Sequence, residues 1–256
     1  MFGRSLPFLL LSLLGAASAG AWPFSLVERL NRDARRLLPR SLHDLMIDHE
    51  KEILAEAQRY PPDQAQALAL DLVDGRLEPA SLAIFDARAD EAIGLIRSRR
   101  VSEGLVRLGA LIRIPADLAD PVLSVGPDGY PPGVTGEYYA FVESSLDKIP
   151  VVLEDAKLLH LDRRRLPAYW QDVLDRSREQ SSLIRSELFR NGRLVSHRNI
   201  DYRSPVFSVA SLSYSRAVNA IAASWLAVWR EVRGDLTRMP VPGEVQPRDP
   251  QPKETP

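Results

Sequence analysis

Arg113, Asp117 and Asp120 lie at helical spacing inside residues 101–123, a stretch that is otherwise mostly apolar. At about 100° per residue, Leu105, Leu108, Gly109, Ile112, Ala116 and Ala119 share one face, and Leu111, Ile114 and Leu118 lie round the far side. The three charged residues occupy one narrow sector. This predicts a buried helix with a polar seam, because a surface helix carries the reverse proportion. Carboxylates in such a seam suit either metal ligation or ion pairing. Asp117 follows Arg113 by one turn, the spacing of a helical ion pair, and Asp120 is the nearest candidate to share the arginine. If the pair is buried, it needs further hydrogen bonds, and removing one partner costs ~3–5 kcal/mol.

Metal chemistry has few other donors to draw on. The chain has no cysteine, which excludes disulfides and thiolate sites. Its histidines are His43, His49, His160 and His197. His43 and His49 lie about 240° apart on one helix and cannot share a metal from it alone. His160 and His197 fall in weakly patterned stretches and support no assignment. A guanidinium within ~4 Å of a dication is repelled by ~8 kcal/mol at an effective dielectric of about 20, so Arg113 argues against a cation beside Asp117.

The elements that must position these residues read as helices. Ser25 is placed to cap a helix carrying Leu26, Leu30, Ala34 and Leu37, stopped by Pro39. Ser41 to Asp44 has the form of a capping box for a helix that ends before Tyr60. A short helical segment runs from Gln64 to Gly75, and another from Pro79 to Arg99. Ser102 suits the cap of the seam helix, and Pro115 inside it predicts a kink. Residues 126–133 form a loop by composition. Helical spacing returns around Tyr138 and Phe141, over 167–190 and over 208–233. Residues 193–205 leave room for one short strand. The expectation is an all-α, single compact multi-helix domain.

The chain has 256 residues, 45% hydrophobic and 26% charged, a globular composition. Its formal charge of −1 draws it as a whole to neither nucleic acid nor anionic lipid. Arg163 to Arg165, and Arg97, Arg99 and Arg100, read as solvated helix ends or loops. Residues 1–21 have the order of a secretory signal peptide, with cleavage after Ala19 or Ala21. The expected localisation is periplasmic or secreted, with an uncleaved membrane anchor as the alternative. The domain is placed at 22–233, followed by a disordered proline-rich tail at 234–256.

The text Leu108-Gly109-Ala-Leu-Ile-Arg113-Ile-Pro-Ala-Asp117-Leu-Ala-Asp-Pro121-Val-Leu123 resembles the motif L-G-x-x-x-H-x-x-x-D-x-x-x-P-x-H. That motif belongs to the zinc-dependent phospholipase C and single-strand-specific zinc nuclease superfamily. A second family motif, H-x-x-x-E ending in Phe-Val, resembles 135–142. The resemblance implies an exported all-α protein beginning at Trp22, whose amino group and carbonyl join histidines and carboxylates around zinc ions that activate water. The family histidines fall here on Arg113, Leu123 and Thr135, and the glutamate on Tyr139; sliding the second motif pairs Tyr139 with Glu143. The expectation is therefore a pseudoenzyme without cofactor, with Asp117 as its vestigial residue, acting as a binding or structural envelope protein. The alternative is a zinc-dependent phosphodiester hydrolase with a reduced site of Trp22, Asp63 and Asp117, joined by His43 or His49. Tyr130, Tyr138 and Tyr139 with Arg113 behind them form a third possibility, a pocket for a phospholipid or other anionic head group.

Overall fold

The computed structural model describes residues 22–59, 77, 79–125, 129–153 and 155–239. Residues 1–21, where the sequence leads us to expect a signal peptide, Asp63, the segment from Gln64 to Gly75 and the expected tail beyond residue 239 lie outside the described residues. The fold is all-α. Its helices are α1 Phe24–Arg35, α2 Arg40–Asp48, α3 Glu50–Gln58, α4 Pro79–Arg97, α5 Val101–Arg107, α6 Arg113–Leu118, α7 Val134–Ser145, α8 Leu166–Leu188 and α9 Pro205–Glu231. Strand among the described residues is limited to a hairpin, β1 Phe189–Arg190 and β2 Arg193–Leu194.

The molecule is built around α9 and not around the seam segment. Every residue of α9 from Ser213 to Trp229 is buried, and a helix covered on all sides must lie at the centre of the bundle. Around it pack α1, α4, α6, α7 and α8. Ser204 caps α9, its hydroxyl accepting from the Phe207 amide at 3.3 Å, and Pro205 occupies the first turn where no amide is required. Alanines 217, 220, 222, 223 and 227 keep its flanks narrow enough for close approach.

Residues 101–123 form not one kinked helix but α5, a 3₁₀ turn over Leu108–Leu111, and α6. The break lies ahead of Pro115, because Pro115 is the third residue of α6, in the first turn where a missing amide costs no intrahelical bond. Two buried indoles hold the irregular stretch: Trp225 Nε1 donates to Leu108 O at 2.9 Å and Trp22 Nε1 to Ala116 O at 2.8 Å. Gly109 lies against the Ile53 carbonyl of α3, an approach that leaves no room for a Cβ.

The expected caps are displaced. Ser25, Ser41 and Ser102 each lie second in their helix, behind Pro23, Pro39 and Arg100. Ser25 donates to Glu143, and Ser41 to Asp235 O at 3.0 Å. The helix expected over 41–59 breaks at His49 into α2 and α3. The start of the expected tail stays on the body, with Trp229 Nε1 donating to Asp235 O at 3.0 Å and Leu236 and Met239 packed on the core. Arg163 is not a simple solvated end, since it reaches Asp90 at 2.6 Å and Asp86 at 3.4 Å on α4.

Candidate functional site

Trp22 lies just ahead of α1, whose first turn begins where the Pro23 carbonyl accepts the amides of Leu26 and Val27. Its buried indole is held by α6, which brings its main chain to Arg113. Arg113 Nη1 donates to Trp22 O at 3.2 Å, and Nη2 stands 3.7 Å from Asp117 Oδ1. The ion pair expected from the sequence is therefore present, at a distance too long for a strong hydrogen bond. Among the described residues, neither Asp117 oxygen accepts a hydrogen bond.

Asp120 does not share the arginine. Its Oδ2 accepts from Tyr139 Oη at 2.6 Å and its Oδ1 from the Val122 amide at 2.9 Å. The regular helix ends at Leu118, so the 100° advance no longer applies at position 120 and the carboxylate turns toward α7. Tyr139 packs against Trp22 with ring centroids 6.1 Å apart, closing a cluster of Trp22, Arg113, Asp117, Asp120 and Tyr139.

Burial sets the electrostatics of this cluster. It pushes the Asp117 carboxyl up to about 6, with Arg113 pulling the other way. Burial likewise pushes Asp120 up to about 7, against the bonds from Tyr139 and Val122, while the Asp117 charge adds to the rise. Burial and the Asp120 charge also drive the Tyr139 hydroxyl well above its ordinary value. Both carboxyls titrate near 4 when unfolded, so the folded protein holds more protons than the unfolded chain between about pH 4 and pH 7. Stability is then fully present below the unfolded value and is lost as pH rises through the folded ones. Denaturant melts should show stability lower by roughly 2–4 kcal/mol at about pH 8 than at about pH 5, with a flatter profile in Asp120→Asn. A wild-type profile that rises across this interval would contradict the assignment.

The other candidates lie elsewhere. His43 in α2 faces Asp44, with Nδ1 at 3.0 Å from Oδ1. His49 is the residue between α2 and α3. Leu123 is buried in a 3₁₀ turn, and its amide supports Asp120. Thr135 is half-buried in the first turn of α7, and Glu143 is exposed near its end. Tyr138 is fully buried, and Tyr130 Oη donates to Ser181 O at 2.9 Å. Arg113 is engaged by Trp22 and Asp117, and the Tyr130 and Tyr139 hydroxyls by Ser181 O and Asp120, so the groups expected to line a head-group pocket are bonded within the fold.

The zinc ligation that the resemblance implies does not fit the described members of this cluster, and Asp63 lies outside them. A guanidinium stands between the Trp22 carbonyl and Asp117, an apolar side chain occupies position 123, and the Tyr139 hydroxyl is committed to Asp120. Among the described residues no group of three or more His, Cys, Asp or Glu side chains is placed to hold a metal. The carboxyls of Asp117 and Asp120 are almost fully sealed from solvent. This geometry permits proton uptake and structural bonding at the two carboxyls.

Comparison with family models, curated proteins and solved structures finds no match. Sequence reasoning missed two buried carboxylates. Asp33 accepts from Tyr214 Oη at 2.8 Å beside Arg29 and Arg36, and Glu56 is held by Arg59 and Arg107. Asp33 was visible as an acid four residues after Arg29 between apolar helix positions. Glu56 gave only a weak signal in its alternating charged neighbours.

Proposed function

We propose that this chain is an exported, metal-free relative of the zinc-dependent phospholipases C and single-strand zinc nucleases, serving as a non-catalytic binding or structural protein of the bacterial envelope. The observation that carries the reading is the position of the Arg113 guanidinium. It lies between the Trp22 carbonyl and the Asp117 carboxylate, two groups that the resemblance assigns to zinc. A fixed side-chain cation thus takes the electrostatic place of a bound one. Unlike a metal, it has no open coordination position at which to activate water.

The purified mature protein is expected to carry substoichiometric zinc by elemental analysis and to leave phospholipid and single-stranded DNA intact. Stoichiometric zinc overturns the reading. So does a hydrolytic activity that disappears in Asp117→Asn and survives in Asp162→Asn, a control carboxylate that is exposed and far along the chain.

A further inference from the structure

We propose that residues 189–204 form a basic strap that docks this protein onto an anionic phospholipid surface. The strap shares no residue with the Arg113 cluster, so its failure would leave the reading of that cluster untouched. It contains Arg190, Arg193, Arg198 and Arg203 against the single acid Asp201, in a chain whose formal charge is −1. All four arginines are exposed. Arg190 is paired with Glu187, whereas Arg193, Arg198 and Arg203 make no salt bridge among the described residues.

The strap is shaped by one tight turn and held to the body at three further points. Asn191 and Gly192 both take positive φ, 53° and 75°, and turn the hairpin in two residues. Leu194 rests on Gly133, where φ is 88°. His197 is fixed to Glu137 of α7, with its amide at 2.6 Å and its Nδ1 at 2.7 Å from Oε2. Tyr202 packs against Phe141 and Phe207 at centroid distances of 6.4 and 5.6 Å. These anchors leave the arginines on the outside. At the hairpin tip Arg190 stands directly opposite Arg193, a like-charge pair that Glu187 relieves on the Arg190 side and that leaves Arg193 as the cation without an ion pair.

Exposed apolar groups within the strap point to a bilayer rather than to nucleic acid. Leu194 is 42% exposed, and Tyr202, although its ring meets Lys148 and Phe207, keeps 41% of its surface exposed. Arginines interleaved with such side chains suit the headgroup boundary, where apolar groups enter and cations meet phosphate. A nucleobase would need an open ring face to stack on. Lys148 Nζ already covers Tyr202 at 3.4 Å from the centroid, and Phe207 meets that ring edge-on at 89°.

The test is co-sedimentation of the purified mature protein with vesicles of phosphatidylcholine, alone or mixed with phosphatidylglycerol. Binding is expected only to the mixed vesicles and should weaken with salt. Each surface cation contributes roughly fivefold to such binding. The combined variant Arg193→Gln, Arg198→Gln, Arg203→Gln should therefore lose about 100-fold. The control Lys51→Gln, Lys157→Gln, Arg164→Gln removes the same charge from exposed positions elsewhere and should bind as wild type. Equal loss in both variants, no loss in the strap variant, or tighter binding to a single-stranded oligonucleotide at the same salt would overturn the proposal.

Discussion

Arg113→Met should destabilise the protein by ~3–5 kcal/mol at neutral pH. Methionine keeps much of the apolar stem, so most of the loss is electrostatic. The Trp22 carbonyl loses its guanidinium donor, and Asp117 loses the cation that opposes its desolvation. Neither oxygen of Asp117 accepts a hydrogen bond among the described residues, so its stability depends on that cation more than a well-bonded carboxylate would. The Asp117 carboxyl, already pushed to about 6, should rise further. Stability of the variant should then fall more steeply with pH than that of wild type, with part of the loss recovered near pH ~5, where the carboxyl is protonated. Adding Asp117→Asn to Arg113→Met should restore stability at neutral pH, and the double-mutant cycle should show strong coupling. A cost below ~1 kcal/mol, or one that Asp117→Asn leaves unchanged, would mean that the guanidinium does not hold the buried carboxylate.

Gly109→Ala should be nearly as damaging. A Cβ there would overlap the Ile53 carbonyl oxygen and come within 2.9 Å of the Ile53 carbonyl carbon and 3.1 Å of Glu56 Cβ. These are mostly backbone atoms, so relief requires the 3₁₀ turn over Leu108–Leu111 to move away from α3. That movement would disturb the bond from Trp225 Nε1 to Leu108 O and the ion pairing of Glu56 with Arg107. A loss of about 3 kcal/mol is expected from overpacking on this scale. Gly136→Ala in α7 is the matched control, because its Cβ would meet nothing within 4 Å. It should raise stability by ~0.5–1 kcal/mol through helix propensity alone. Thermal melts of the two variants should therefore shift in opposite directions, and a Gly109→Ala protein as stable as wild type would show that this contact is loose.

The helices were largely legible in the sequence. The runs over 79–99, 167–190 and 208–233 keep one apolar periodicity long enough to identify their type, and they correspond to α4, α8 and α9 within a few residues. Their ends were less legible. Ser25, Ser41 and Ser102 fit a capping pattern, yet the helices begin one or two residues earlier because the preceding chain already supplies the turn and each hydroxyl lies second in its helix.

The Arg113–Asp117 pair could be read from spacing, since i,i+4 side chains meet on any helix. The positions of Asp120 and Trp22 could not. Asp120 lies past the last regular turn, so its direction depends on where α7 delivers Tyr139. The Trp22 carbonyl reaches Arg113 across 91 residues of chain, a contact set by the packing of α1 on α6. Composition and periodicity were sufficient for the all-α class, the absence of thiol chemistry and a polar seam in an apolar segment, because these follow from residue type and local spacing. Three-dimensional packing made α9 the centre, broke the seam helix before Pro115 and turned Asp120 away from Arg113. Each of those outcomes depends on which distant surfaces bury one another, and no local pattern records that choice.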